Sequence, residues 1–110
     1  MAAVFIRYLS PTMQVPDNAF YERADAHINL SNDQLKMAPG PAVGASMTFG
    51  AARFNTWLCA NMYGTKDVMA QMQEQAIAQL TEHYAQQLRE NFENYIQEFD
   101  KFVKPGVITR

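Results

Sequence analysis

The longest uninterrupted pattern in the chain covers residues 66–104, 39 positions without a proline or a glycine. Val68, Met72, Ala76, Leu80, Tyr84, Leu88, Phe92, Ile96 and Phe99 recur along it at near-helical spacing, which predicts one long amphipathic helix. A helix of that length would extend roughly 57 Å at about 1.5 Å per residue. Its apolar stripe turns along the way. At about 100° per residue, Val68, Met72 and Ala76 share one side. Tyr84, Leu88, Phe92, Tyr95, Phe99 and Phe102 centre well over ~90° further around. Two packing environments are expected. The early half should meet a second helix, and the aromatic late half the first helix, the N-terminal segment or a second chain.

Two shorter helices precede the long one. Pro16 followed by Asp17 is a helix start, and Phe20, Ala24, Ile28, Ser31 and Leu35 then fall on one face of a helix over 18–37, flanked by Tyr21 and His27. Helix propensity sags at Asn29 and across Ser31-Asn32-Asp33. Pro39 and Pro41 push their preceding residues out of the helical region, so residues 36–44 read as a connection. A second helix is expected over 45–62, with Met47, Ala51, Phe54, Leu58 and Met62 on one face. Gly50 in its middle suggests close approach of another helix. Gly64 reads as its C-terminal stop, Thr65 as the cap of the next helix, and Asp67 as a first-turn carboxylate. A tight antiparallel hairpin of helices two and three follows. The expected architecture is all-α: three helices in a single domain over 17–104, helix one packed across the hairpin. Residues 1–16 form an N-terminal arm, and 105–110 a tail after Pro105-Gly106.

Composition narrows the function. The chain has 110 residues, 48% of them hydrophobic, which suits one globular domain. A net charge of −2, with no basic stripe, gives little support for nucleic-acid binding. No apolar run approaches the roughly 18 residues a membrane span needs. The single Cys59 has no intramolecular disulfide partner, and no signal peptide is apparent, so a reducing, cytoplasmic address in a bacterial cell is expected.

Catalytic chemistry is not legible. His27 and His83 belong to no ligand pair at helical spacing, so no metal or cofactor is expected. Ser10, Ser31 and Ser46 have no base beside them in sequence, and Gly40-Pro41-Ala42-Val43-Gly44 lacks the Lys and Ser/Thr of a phosphate loop. Two groups remain. Arg53 and Asn55 are polar residues inside an apolar helix beside Trp57. Arg53 would pair with Asp25, Glu22 or a carboxylate on helix three and fix helix register. Alternatively, Arg53, Asn55 and Trp57 with Tyr84 form a recognition surface, since Arg and Trp dominate binding hot spots. The second group is Phe92, Tyr95, Phe99 and Phe102, either core or an interface.

Three blocks resemble a known family: Phe20-Tyr21-Glu22-Arg23-Ala24-Asp25-Ala26-His27-Ile28, Ala51-Ala52-Arg53-Phe54-Asn55, and Tyr95-Ile96-Gln97-Glu98-Phe99-Asp100. In order and spacing they are similar to the proteobacterial domain-of-unknown-function family DUF3144, over residues 17–103. The resemblance implies a small helical cytoplasmic protein and brings no activity, ligand or catalytic residue. The expectation is a non-enzymatic interaction module, self-associating through the late half of the long helix and open to a further protein partner. A small-ligand site around Arg53, Asn55 and Trp57 is the alternative.

Overall fold

In the computed structural model, residues 17–104 and 107–108 are described. Four helices follow one another: α1 (Phe20–Gln34), α2 (Gly40–Tyr63), α3 (Lys66–Gln97) and the single turn α4 (Phe99–Phe102). Two-residue strands β1 (Val103–Lys104) and β2 (Val107–Ile108) pair antiparallel, Val103 opposite Ile108 and Lys104 opposite Val107. The all-α class holds. The expected N-terminal arm lies outside the described residues, as do 105–106 and 109–110 of the expected tail; 107–108 are a paired strand instead. The chain divides into two compact units, one ending at Gln73 and the other beginning at Glu74, with α3 continuous through the division.

The first unit contains α1, α2 and the first turns of α3. Asp17 sets the start of α1. Its Oδ1 accepts the Ala19 N–H at 2.9 Å, its carbonyl accepts the Phe20 N–H at 3.1 Å, and its Oδ2 takes the Arg23 guanidinium at 3.0 Å. The carboxylate therefore organises the turn before the helix and is held by a side chain one turn inside it. Phe20, Ala24, Ile28, Ser31 and Leu35, the face expected to pack, are half-buried, whereas Tyr21, Leu30 and Met37 are exposed. α1 and α2 approach one another, and Leu35 lies against the start of α2 at Gly40.

α2 begins five residues earlier than the sequence pattern suggested. Pro39 is extended (φ −64°, ψ 152°) and Pro41 occupies the first helical turn. That turn has no intrahelical acceptor for its N–H groups, so a proline there removes nothing, and its fixed φ suits a helix. The two prolines start α2 rather than prolong the connection. α2 ends at Gly64, which is left-handed (φ 77°) and donates its N–H to the Ala60 carbonyl at 3.0 Å. Thr65 Oγ1 then accepts the Val68 N–H at 3.2 Å and caps α3. Gly50 is not a close-approach site: among the described residues, nothing lies within 4 Å of where its Cβ would be.

In the second unit α3 stops at Gln97 instead of reaching 104. Glu98 leaves the helical conformation (φ −118°, ψ 38°), while its carboxylate accepts the Asn94 amide at 3.3 Å and the Lys101 ammonium lies 3.9 Å from it. The gain is aromatic. In a straight helix residues seven apart are about 10.5 Å apart along the axis, whereas the rings of Tyr95 and Phe102 stack with centroids 4.4 Å apart and planes 20° off parallel. The break at Glu98 accompanies that contact.

Two measurements test these local devices. Gly64→Ala places a Cβ in left-handed backbone and should cost about 1 kcal/mol, read as a lower chemical-denaturation midpoint with unchanged slope. Asp17 has its carboxyl held below the ordinary 3.8, first by the hydrogen bond from Arg23 and then by the Ala19 N–H. A depressed pKa means its stabilising contribution is present above the ordinary carboxyl range and lost as pH falls through the folded value. The Ala19 amide resonance should therefore titrate with a midpoint below 3.8. In Asp17→Asn that titration should vanish, and a midpoint at the ordinary value would contradict the Arg23 contact.

Candidate functional site

α2 is apolar on nearly every side, and most of it is bare. Val43 is buried near its start, and Cys59 and Tyr63 near its end. At about 100° per residue these two buried ends face nearly opposite directions. Between them residues 44–54 are all exposed, including Met47, Phe49 and Phe54. The expected buried face of Met47, Ala51 and Phe54 is a correction: all three are exposed, and only Leu58 and Met62 of that set are half-buried. The polar side chains of α2 do not offset this. Ser46, Thr48, Thr56 and Asn61 donate to carbonyls four residues back, at 3.1, 2.9, 2.8 and 2.8 Å. Donors spent on their own helix leave Arg53 as the main polar group of this surface.

One stripe of this face forms an open groove of about 300 Å³ lined by Phe49, Ala52, Arg53, Thr56, Trp57 and Ala60. All six come from α2, at alternating steps of three and one residues. Phe54 and Trp57 stack beside it, centroids 5.9 Å apart and planes 26° off parallel. Of the four candidate binding residues, Arg53 and Trp57 line the groove and Asn55 does not; Asn55 is half-buried on another side of α2. Tyr84 stands on α3 in the second unit, exposed. The expected ion pair of Arg53 is absent: among the described residues Arg53 bonds neither Asp25 nor Glu22, and its guanidinium stays on an exposed face. His27, which flanks the packed face of α1, is also exposed.

The second candidate surface lies on α3 beyond Glu74. Ile77, Tyr84, Leu88, Phe92 and Ile96 are exposed, by 40% at Leu88 and 71% at Ile96. Val68, Met72 and Ala76, by contrast, are half-buried or buried, as the early stripe predicted. The late stripe is thus a separate face. Of the four candidate interface residues, Phe92 and Phe99 are exposed while Tyr95 and Phe102 are half-buried in their mutual stack. Ile77, Leu88 and Ile96 belong to the same exposed row and were not among those candidates. The four-residue period from Tyr84 through Leu88 and Phe92 to Ile96 is the sequence signal for this row.

Among the described residues no three His, Cys, Asp or Glu side chains gather as a metal would require, and no helix is long and apolar enough to cross a membrane. Cys59 is buried and its thiol is pushed above its ordinary value by burial.

The family model described as Protein of unknown function (DUF3144) matches residues 20–96, more than half of the chain, so the chain belongs to that family. No curated protein and no solved structure matches it.

Burial and a raised pKa both lower the fraction of accessible thiolate at Cys59. A disulfide reagent at pH 8 should label the native protein at least ~10-fold more slowly than the denatured chain. Equal rates would show that the Cys59 environment is open.

Proposed function

We propose that this family member is a non-enzymatic protein-interaction module whose working surface is the apolar row of α3, with self-association as its first expression. One observation carries the reading: fourteen large apolar side chains are exposed among the described residues, against four buried hydrophobic ones. Scattered single hydrophobes are ordinary on a protein surface, whereas contiguous apolar faces mark interaction sites. The row Ile77, Tyr84, Leu88, Phe92 and Ile96 lies on one helix, its last four members four residues apart. At about 1.5 Å per residue it covers roughly 28 Å, a length suited to pairing with another helix. The groove on α2 supports the same class of partner better than a small ligand, because ligand pockets enclose most of their guest and this groove has one helix for its walls.

Because Phe92 and Phe99 are exposed in the single chain, Phe92→Ser with Phe99→Ser should leave helicity and thermal stability within about 1 kcal/mol of the parent. The same pair should shift the solution mass toward the monomer, measured by light scattering at two concentrations a hundredfold apart. A parent that stays monomeric at both concentrations would overturn self-association. An assembly indifferent to the double substitution would overturn the role of this row.

A further inference from the structure

We infer that α3 pairs antiparallel with α3 of a second copy, centred between residues 85 and 88, so that Glu82 of each chain meets the partner's Arg89. The inference rests on the interaction reading above and fixes its occupant and geometry. Ala78, Thr81, Ala85, Leu88, Phe92 and Tyr95 follow one another at steps of three, four, three, four and three residues. That is the spacing of a two-helix seam. Ala78, Thr81, Leu88 and Phe92 are exposed; Ala85 and Tyr95 are half-buried.

The seam is graded in size. Its first three members are small and its last three are large. In an antiparallel pair, Ala78 falls opposite the partner's Tyr95, Thr81 opposite the partner's Phe92, and Ala85 opposite the partner's Leu88. Every layer then joins a small side chain to a large one, which is how facing positions fill space without voids or overlap. A parallel pair in register would set alanine against alanine at two layers and ring against ring at the other end.

Charge favours the same orientation. Glu82 and Arg89 both lie on one edge of the seam, and within a single chain they approach to 3.5 Å while remaining exposed. Reversing the second helix about the centre of the seam brings Glu82 to within about one turn of the partner's Arg89, and Arg89 to the partner's Glu82. Opposite charges then flank the seam twice, by symmetry. No other charged side chain borders the seam on that edge between these two residues.

The test uses the full chain. Glu82→Arg alone leaves two cations on the edge, and Arg89→Glu alone leaves two anions. Each variant should raise the dimer dissociation constant about three- to tenfold, the scale of two exposed ion pairs turned to repulsion. An equimolar mixture of the two should return to the parent value, because each chain then supplies the charge the other lacks. Orientation is read separately, from a spin label on Gln97→Cys in a Cys59→Ala background. Antiparallel pairing puts the two labels roughly 30 Å or more apart, and parallel pairing about 20 Å or less. A dimer with the short distance, or one blind to both charge variants, would overturn this geometry while leaving self-association standing. A parent chain that never dimerises would overturn both.

Discussion

A helix closes its backbone hydrogen bonds within itself, but it can bury an apolar face only against something else. That separation governs this chain. Its helices are well specified one by one, through Asp17 before α1, Pro39 and Pro41 at the start of α2, Gly64 at its end and Thr65 before α3. None of those devices says which faces will be covered. The result is a set of sound helices with many exposed apolar side chains and, among the described residues, Cys59, Tyr63, Val43 and Ala76 as the buried hydrophobic ones.

The polar groups reinforce that condition. Along α2 the hydroxyls of Ser46, Thr48 and Thr56 turn back onto their own helix, so the bare face offers methyls and rings and few donors. The ion pairs among the described residues, such as Arg23 with Asp17 and Arg89 with Glu82, join exposed groups on one helix or its immediate flank. Exposed pairs of this kind contribute little to stability. In the proposed pairing of α3, the pattern of sign set by Glu82 and Arg89 along the seam would select orientation. A small buried core and a large ordered apolar surface are the two facts from which the proposed interaction role is argued.

Where local chemistry decides structure, the sequence was readable. The half-buried face of α1, the left-handed stop at Gly64, the cap at Thr65 and the burial of Ala76 all agree with periodicity and capping rules. Where two local rules compete, it was not. Pro39 and Pro41 suit a connection over 36–44, but proline at a helix start is equally favourable, and α2 begins at Gly40. A stretch of 39 residues without proline or glycine permits one helix, yet the stack of Tyr95 on Phe102 goes with a break at Glu98 that no propensity signals.

The sequence by itself determined the helical class, the stop at Gly64 and the cap at Thr65 between α2 and α3, and the turn of the apolar stripe along α3. These follow from interactions within a few residues of each other, which a linear pattern records. Only the tertiary structure decided which apolar residues are covered. α2 has hydrophobic side chains all round, so periodicity could not choose between the face of Phe54 and the face of Cys59, and the fold covers Cys59. It also decided that Arg53 stands in an open groove instead of an internal ion pair, and that the row from Ile77 to Ile96 is left uncovered. Burial depends on what arrives from elsewhere in the chain, and no residue encodes its own neighbour.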